Sequence, residues 1–297
     1  MVYHAGLGQI VLVNGGPERG KPAGEPLELW GWDGQRWSLV DNSGPVWRNW
    51  AGVAYDSARG VIVVHGGHQN ESWFDETWEW DGQTWTLHDG SAPGGREGAG
   101  MVYDSGRGKV VLFGGATADL EILGDTWEWD GQIWEQVSTE GPPARFPAGV
   151  GYDPLRRQVL IYGGHDVRTS EDIPFFGDFW AWDGSVWQEI PLSDPTPGIR
   201  VATSFVFDPI GGQTLMFGGA DLDAFRTDLW AWDGAQWTQV YAETGMPPRS
   251  GFNIVAYDEA RGVYVLFGGV AEPGGDVVPE TWEWDSETWT CAAGCRD

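Results

Sequence analysis

The sequence predicts an all-β protein assembled from six copies of one four-stranded antiparallel unit. Three observations carry that prediction. A double glycine recurs at Gly15-Gly16, Gly66-Gly67, Gly114-Gly115, Gly163-Gly164, Gly218-Gly219 and Gly268-Gly269, in steps of 51, 48, 49, 55 and 50 residues. A W-x-W-x4-W triplet follows each pair. A Tyr or Phe stands 11 residues before the pair in five of the six repeats. A period near 50 marks supersecondary units that cannot bury their apolar faces alone and must stack. Four strands taken six times make a six-bladed β-propeller, with blades at about residues 1–44, 45–93, 94–142, 143–196, 197–246 and 247–297.

The third repeat shows why each strand forms. Ala99 to Asp104 is a short run closing on a Ser-Gly-Arg-Gly turn (strand a). Lys109 to Phe113 is a β-branched and aromatic run closing on Gly114-Gly115 (strand b). Strand c is Asp125 to Trp129 and strand d is Gln132 to Val137, joined by Asp130-Gly131. Asp-Gly is the strongest short hairpin signal and predicts a two-residue type I′ turn, with Trp129 facing Gln132 and Trp127 facing Trp134. Side chains alternate along strands, so Trp127, Trp129 and Trp134 share one face. Eighteen of the 21 tryptophans belong to such triplets, and their repetition in every blade assigns them to packing between blades.

With the double glycine closing strand b and the aromatic pair beyond it, the repeats resemble the kelch family over nearly the whole chain. WD dipeptides such as Trp80-Asp81 also occur, but the period near 50 and the Gly-Gly fit kelch better than the shorter WD40 repeat. The first repeat departs from the pattern, with His4 where other repeats carry Asp and Asn14 inserted before Gly15. Each blade is expected to be contiguous in sequence, the ring closing where blade 1 meets blade 6 without strand exchange. Enzymes of this architecture carry further signatures. The Glu-x3-Asp-x3-His iron motif of the nitrile-forming specifier proteins does not occur in this sequence, nor does a GxSxG elbow. The cysteine crosslinked to tyrosine of galactose-oxidase-like enzymes has no counterpart, since Cys291 and Cys295 both sit near the C-terminus.

Composition narrows the partners. The net charge is −27, from 44 acidic and 17 basic residues, and Lys21 and Lys109 are the only lysines. Such a surface repels nucleic acid and anionic membranes. No stretch approaches 18 consecutive apolar residues, so no membrane insertion is expected. No cofactor is expected, and the propeller is expected to be a monomer. The chain opens on strand-like residues without a signal-peptide pattern, which predicts a cytoplasmic protein, or a secreted one if a targeting segment was removed. Cys291 and Cys295 allow either a local disulfide or two free thiols.

The uniform a–b and c–d turns share one face, and the b–c and d–a loops share the other. From the second Gly to the first Trp the chain takes 14, 11, 12, 16, 11 and 13 residues, so the b–c/d–a face varies and is the expected recognition surface for a small molecule, peptide or protein. Arg59, Arg107, Arg156 and Arg261 fall in the uniform turns and read as structural. Arg48, Arg96, Arg145 and Arg200 lie seven residues before the strand-a aromatic and Arg249 eight before, at the pore mouth. There they suit bidentate capture of a carboxylate or phosphate, and the resemblance to partner-binding kelch proteins implies the same role. The competing expectation is pairing between blades with Glu28, Glu76, Asp125, Asp178, Asp228 and Glu280, the acids two residues before each triplet.

Off-pattern residues complete the candidate site. Trp47, Trp50 and Trp73 lie on variable loops, as do Phe175 and Phe176. His68 and His165 each follow a Gly-Gly, and Asp166 follows His165. His68, His165 and Asp166 are candidate acid/base residues, and His68 and His165 with Asp221 are the candidate metal ligands. The leading expectation is a binding propeller for an anionic or carbohydrate ligand or a peptide. The alternatives are a lyase, isomerase or cyclase in the same pocket, and a surface or scaffold module.

Overall fold

The structure is a computed structural model in which residues 1–13, 24–88, 93–166, 175–241, 251–270 and 278–295 are described, Gly15-Gly16 and Arg249 lying outside them. Six four-stranded antiparallel sheets, each contiguous in sequence in the order a-b-c-d, form a six-bladed β-propeller. Blade 2 adds a small hairpin, His68–Gln69 with Ser72–Trp73. The innermost strands are Val2–His4, Gly52–Asp56, Gly100–Asp104, Gly149–Asp153, Ser204–Asp208 and Gly251–Asp258. The first of these contacts both the second and the last, so the ring closes by packing, without strand exchange. Among the described residues no helix is long and apolar enough to cross a membrane.

The hairpin between strands c and d differs from the expected one. Trp129 pairs with Trp134 and Trp127 with Gln136, so strand d starts at Trp134 and the connection spans Asp130 to Ile133. A type I′ turn needs two central residues at positive φ, and here only Gly131 has one, at 95°. The reason is the Asp130 side chain, whose Oδ1 accepts hydrogen bonds from the backbone of Gln132 (2.9 Å) and Ile133 (3.0 Å). Asp thereby closes a longer loop on itself. The three tryptophans still share a face, with the rings of Trp129 and Trp134 5.6 Å apart.

The triplets hold neighbouring blades together. The second ring of each is buried, and several indoles also donate across the seam. Trp129 Nε1 reaches Glu79 of blade 2 at 2.7 Å, Trp182 Nε1 reaches Glu128 of blade 3 at 3.1 Å, and Trp32 Nε1 reaches Glu283 of blade 6 at 2.7 Å. The third ring finds a threonine in the same way: Trp134 to Thr77, Trp187 to Thr126 and Trp37 to Thr281. The turn arginines add a second stitch. Arg59, Arg107 and Arg261 each pair with the Asp three residues earlier and with a strand-c Glu of their own blade. Each lies against the turn glycine of the next blade, Gly131, Gly184 and Gly34 respectively. That contact explains the glycine: a Cβ on Gly184 would stand 2.7 Å from Arg107.

Candidate functional site

The six innermost strands surround a channel with a cavity volume of about 820 Å³. At the b–c/d–a end it is lined by Trp50, Ala51, Ala99, Ala148 and Thr203, and at the other end by Ser57, Ser105, Pro154, Pro209 and Glu259.

The arginines expected to line its mouth are buried, Arg48 alone of the four standing among the channel-lining residues. Arg48, Arg96, Arg145 and Arg200 are between 0% and 3% exposed. Each forms an ion pair with the strand-c acid of its own blade: Glu76 at 3.0 Å, Asp125 at 2.7 Å, Asp178 at 2.6 Å and Asp228 at 2.7 Å. Each also donates to the carbonyl of the first glycine of its own pair, Gly66, Gly114, Gly163 or Gly218. The first tryptophan of the triplet donates to the same acid, as Trp180 does to Asp178 at 2.7 Å. Pairing is therefore within blades, not between them as expected. The guanidiniums close the blade from inside, and of the four Arg48 also contributes to the channel lining.

The link between blades at this end is made by backbone. The second glycine of one blade donates to the arginine carbonyl of the next: Gly67 to Arg96 at 2.8 Å, Gly115 to Arg145 at 3.2 Å and Gly164 to Arg200 at 2.9 Å. A Cβ on Gly66 would stand 2.4 Å from the Arg96 carbonyl oxygen, so both the close approach and the positive φ of 70° require glycine.

The aromatic candidates divide. Phe176 lies under the Arg145 guanidinium, 4.2 Å from Cζ to the ring centre, and Phe74 does the same for Arg48 at 4.1 Å. Trp47 is tied into its loop, its carbonyl accepting from Gln69 Nε2 at 3.0 Å. Trp73 pairs with His68 across the small hairpin, and their rings stack at 5.2 Å. Trp50 is different: it lines the channel mouth, is 42% exposed and holds a φ of 56°. Such a conformation is rare for a bulky residue, and Gly98 and Ala202, each likewise two residues after a mouth arginine, share it at 61° and 53°.

His68 and His165 stand apart. His68 Nδ1 is 2.6 Å from Glu97 Oε2. His165 packs between Phe146 (ring centres 5.6 Å apart) and Phe175 (5.4 Å), and burial pulls its pKa below the ordinary value, with Asp166 opposing. Asp221 closes a turn in blade 5, accepting from the backbone of Asp223 and Ala224 at 2.9 Å and pairing with Arg226. His68, His165 and Asp221 thus belong to blades 2, 4 and 5, and among the described residues no three His, Cys, Asp or Glu side chains gather to hold a metal. Cys291 and Cys295 form a disulfide at the end of the last strand.

Sequence reasoning missed three residues of this face: Glu97, Gly98 and Phe146. Gly98 N–H donates to the Trp50 carbonyl at 2.8 Å, and the Phe146 ring covers Gly98 and comes to 6.1 Å from the Trp50 ring. The signal was present in the residue after each mouth arginine, which is Asn49, Glu97, Phe146 and Val201 in successive blades. No family model matches this chain, and no curated protein does.

Proposed function

We propose that the protein is a kelch-type propeller that works as a binding module, with its ligand seated on the b–c/d–a face at the mouth of the central channel. The observation that carries this reading is Trp50, an exposed aromatic ring at the channel rim. Of the ligand features the sequence suggested, the arginines are paired with internal carboxylates, and among the aromatic candidates Trp50 is the exposed ring at the channel. A thermal-shift screen of metabolites and peptides tests it. Ligands that stabilise the native protein should lose their effect with Trp50→Ala and keep it with Leu155→Ala on the opposite face. Ligands insensitive to Trp50→Ala but lost with Leu155→Ala would place the site elsewhere.

One observation favours the scaffold reading as a second possibility. The a–b/c–d face carries exposed apolar side chains in blades 3 to 5: Ile133, Leu155 (66% exposed), Val186 and Ile210 (73%). Replacing Leu155 and Ile210 with Ser should then weaken assembly with a protein partner without affecting small-molecule binding. Unchanged assembly would refute the scaffold role of that face.

A further inference from the structure

The chemistry of the rim points to an organic cation as its ligand: we propose that Trp50, Phe146, Trp73 and Glu97 together receive an alkylammonium group. This rests on the binding reading above and adds the ligand class. It also reverses the anionic preference suggested by the arginine spacing.

Three blades meet at Gly98. Its N–H holds the Trp50 carbonyl of blade 2, and the Phe146 ring of blade 4 lies where its Cβ would be, 2.2 Å from that position. Only glycine lets that ring lie over the backbone and approach Trp50. The preceding residue, Glu97, sends its carboxylate to His68, and His68 stacks on Trp73 with an interplanar angle of 25°. The Trp50 and Phe146 rings thus meet at Gly98, and the residue before it sends a carboxylate to the His68–Trp73 stack. A quaternary or protonated amine is attracted to both, by the negative face of each ring and by direct charge.

The surroundings favour the same sign. The guanidiniums next to the rim residues in sequence, Arg48, Arg96 and Arg145, are buried and paired with Glu76, Asp125 and Asp178. The b–c loops of blades 2 and 3 add the exposed carboxylates of Glu71, Asp75, Asp119 and Glu121, and residues 69–76 and 116–124 contain no Lys or Arg. A net charge of −27 raises the local concentration of cations and lowers that of anions.

Choline is a suitable probe, compared with its neutral isostere in which a quaternary carbon replaces the nitrogen, with acetate, and with a methyl glycoside. Choline should bind roughly tenfold more tightly than the isostere, and Trp50→Ala should remove most of that preference. Added salt should weaken choline binding, as should Glu97→Gln. A trimethyllysine peptide forms a further arm: tighter binding than choline assigns the cation to a protein side chain, and equal binding to a free small molecule. Equal or better binding of the isostere, the glycoside or acetate, still dependent on Trp50, would overturn the cation and leave the binding face standing. No choline binding would overturn the cation as well. Binding of any probe that ignores both Trp50→Ala and Glu97→Gln would remove the rim itself.

Discussion

Replacing Arg145 with Ala tests whether the mouth arginines build the fold or meet a ligand. The guanidinium makes two bonds to Asp178 (2.6 and 2.8 Å) and one each to the carbonyls of Gly163 and Pro143 (both 2.9 Å). Removing one partner of a buried pair costs about 3–5 kcal/mol, because the other charge is left uncompensated. Asp178 keeps the Trp180 indole donor, and its side chain is 21% exposed, so the lower end applies, about 3 kcal/mol. For a domain of this size that corresponds to a fall in Tm of roughly 5 °C. Calorimetry and urea denaturation measure it. A double variant, Arg145→Leu with Asp178→Asn, should recover about 1 kcal/mol or more of what Arg145→Leu alone loses. The pH dependence follows from the sign of the shift. Burial opposes ionisation of Asp178, but Arg145 and Trp180 outweigh it and hold the pKa below the ordinary carboxylate value. The stabilisation is therefore present above about pH 4 and is lost as pH falls through the lower folded value, so Arg145→Ala should flatten acid sensitivity there. A variant melting within about 2 °C of the native protein while losing a bound ligand would refute the structural role.

Other expectations are separable. His65 is buried in blade 2, and desolvation, helped by Arg96, lowers its pKa from 6.5 to about 3. The unfolded chain alone takes up this proton, so stability falls as pH drops from about 6.5 towards 3, by about 2 kcal/mol between pH 7 and 5. His65→Phe, the residue at the corresponding position of blades 3, 5 and 6, should narrow the gap between melting temperatures at those two pH values. Ser286 replaces the turn glycine in blade 6 at a φ of 78°, where no arginine of blade 5 presses because Gly211 occupies that place. Ser286→Gly should stabilise by about 1 kcal/mol, whereas Gly131→Ser, which drives a Cβ to 2.8 Å from Arg59, should destabilise by about 2 kcal/mol in chemical denaturation. Reduction of Cys291–Cys295 should cost at most about 2 kcal/mol, since the loop it closes is very short, and melting with and without reductant measures this.

Spacing made the blades legible, because the triplets and double glycines repeat every strand-defining contact. It did not reveal where the arginines point. Arg145 and Asp178 are 33 residues apart across the longest b–c loop, and Arg145 precedes strand a, where side-chain alternation gives no direction. The rim is harder still to read, because Trp50, Gly98 and Phe146 come from three blades and share only their place one or two residues after a mouth arginine. The c–d turn was misread for a local reason: Asp-Gly predicts a two-residue turn only when the Asp side chain does not itself cap the following amides.

The seams are not equal. Between blades 5 and 6 no turn arginine crosses, the Trp284 and Trp289 indole N–H groups find no hydrogen-bond partner among the described residues, and Tyr241 donates to the Glu287 carbonyl. Between blades 6 and 1, where no peptide bond joins the blades, Trp32, Trp37 and Arg261 are all engaged. The seam without covalent continuity thus carries the full set of stitches also found between blades 2 and 3 and between blades 3 and 4, and the chain itself holds a poorer seam. A circular permutant joined across blades 6 and 1 and opened between blades 5 and 6 would exchange those two arrangements. It would leave the poorer seam without a covalent link, and it would lose more stability than a permutant opened between blades 2 and 3.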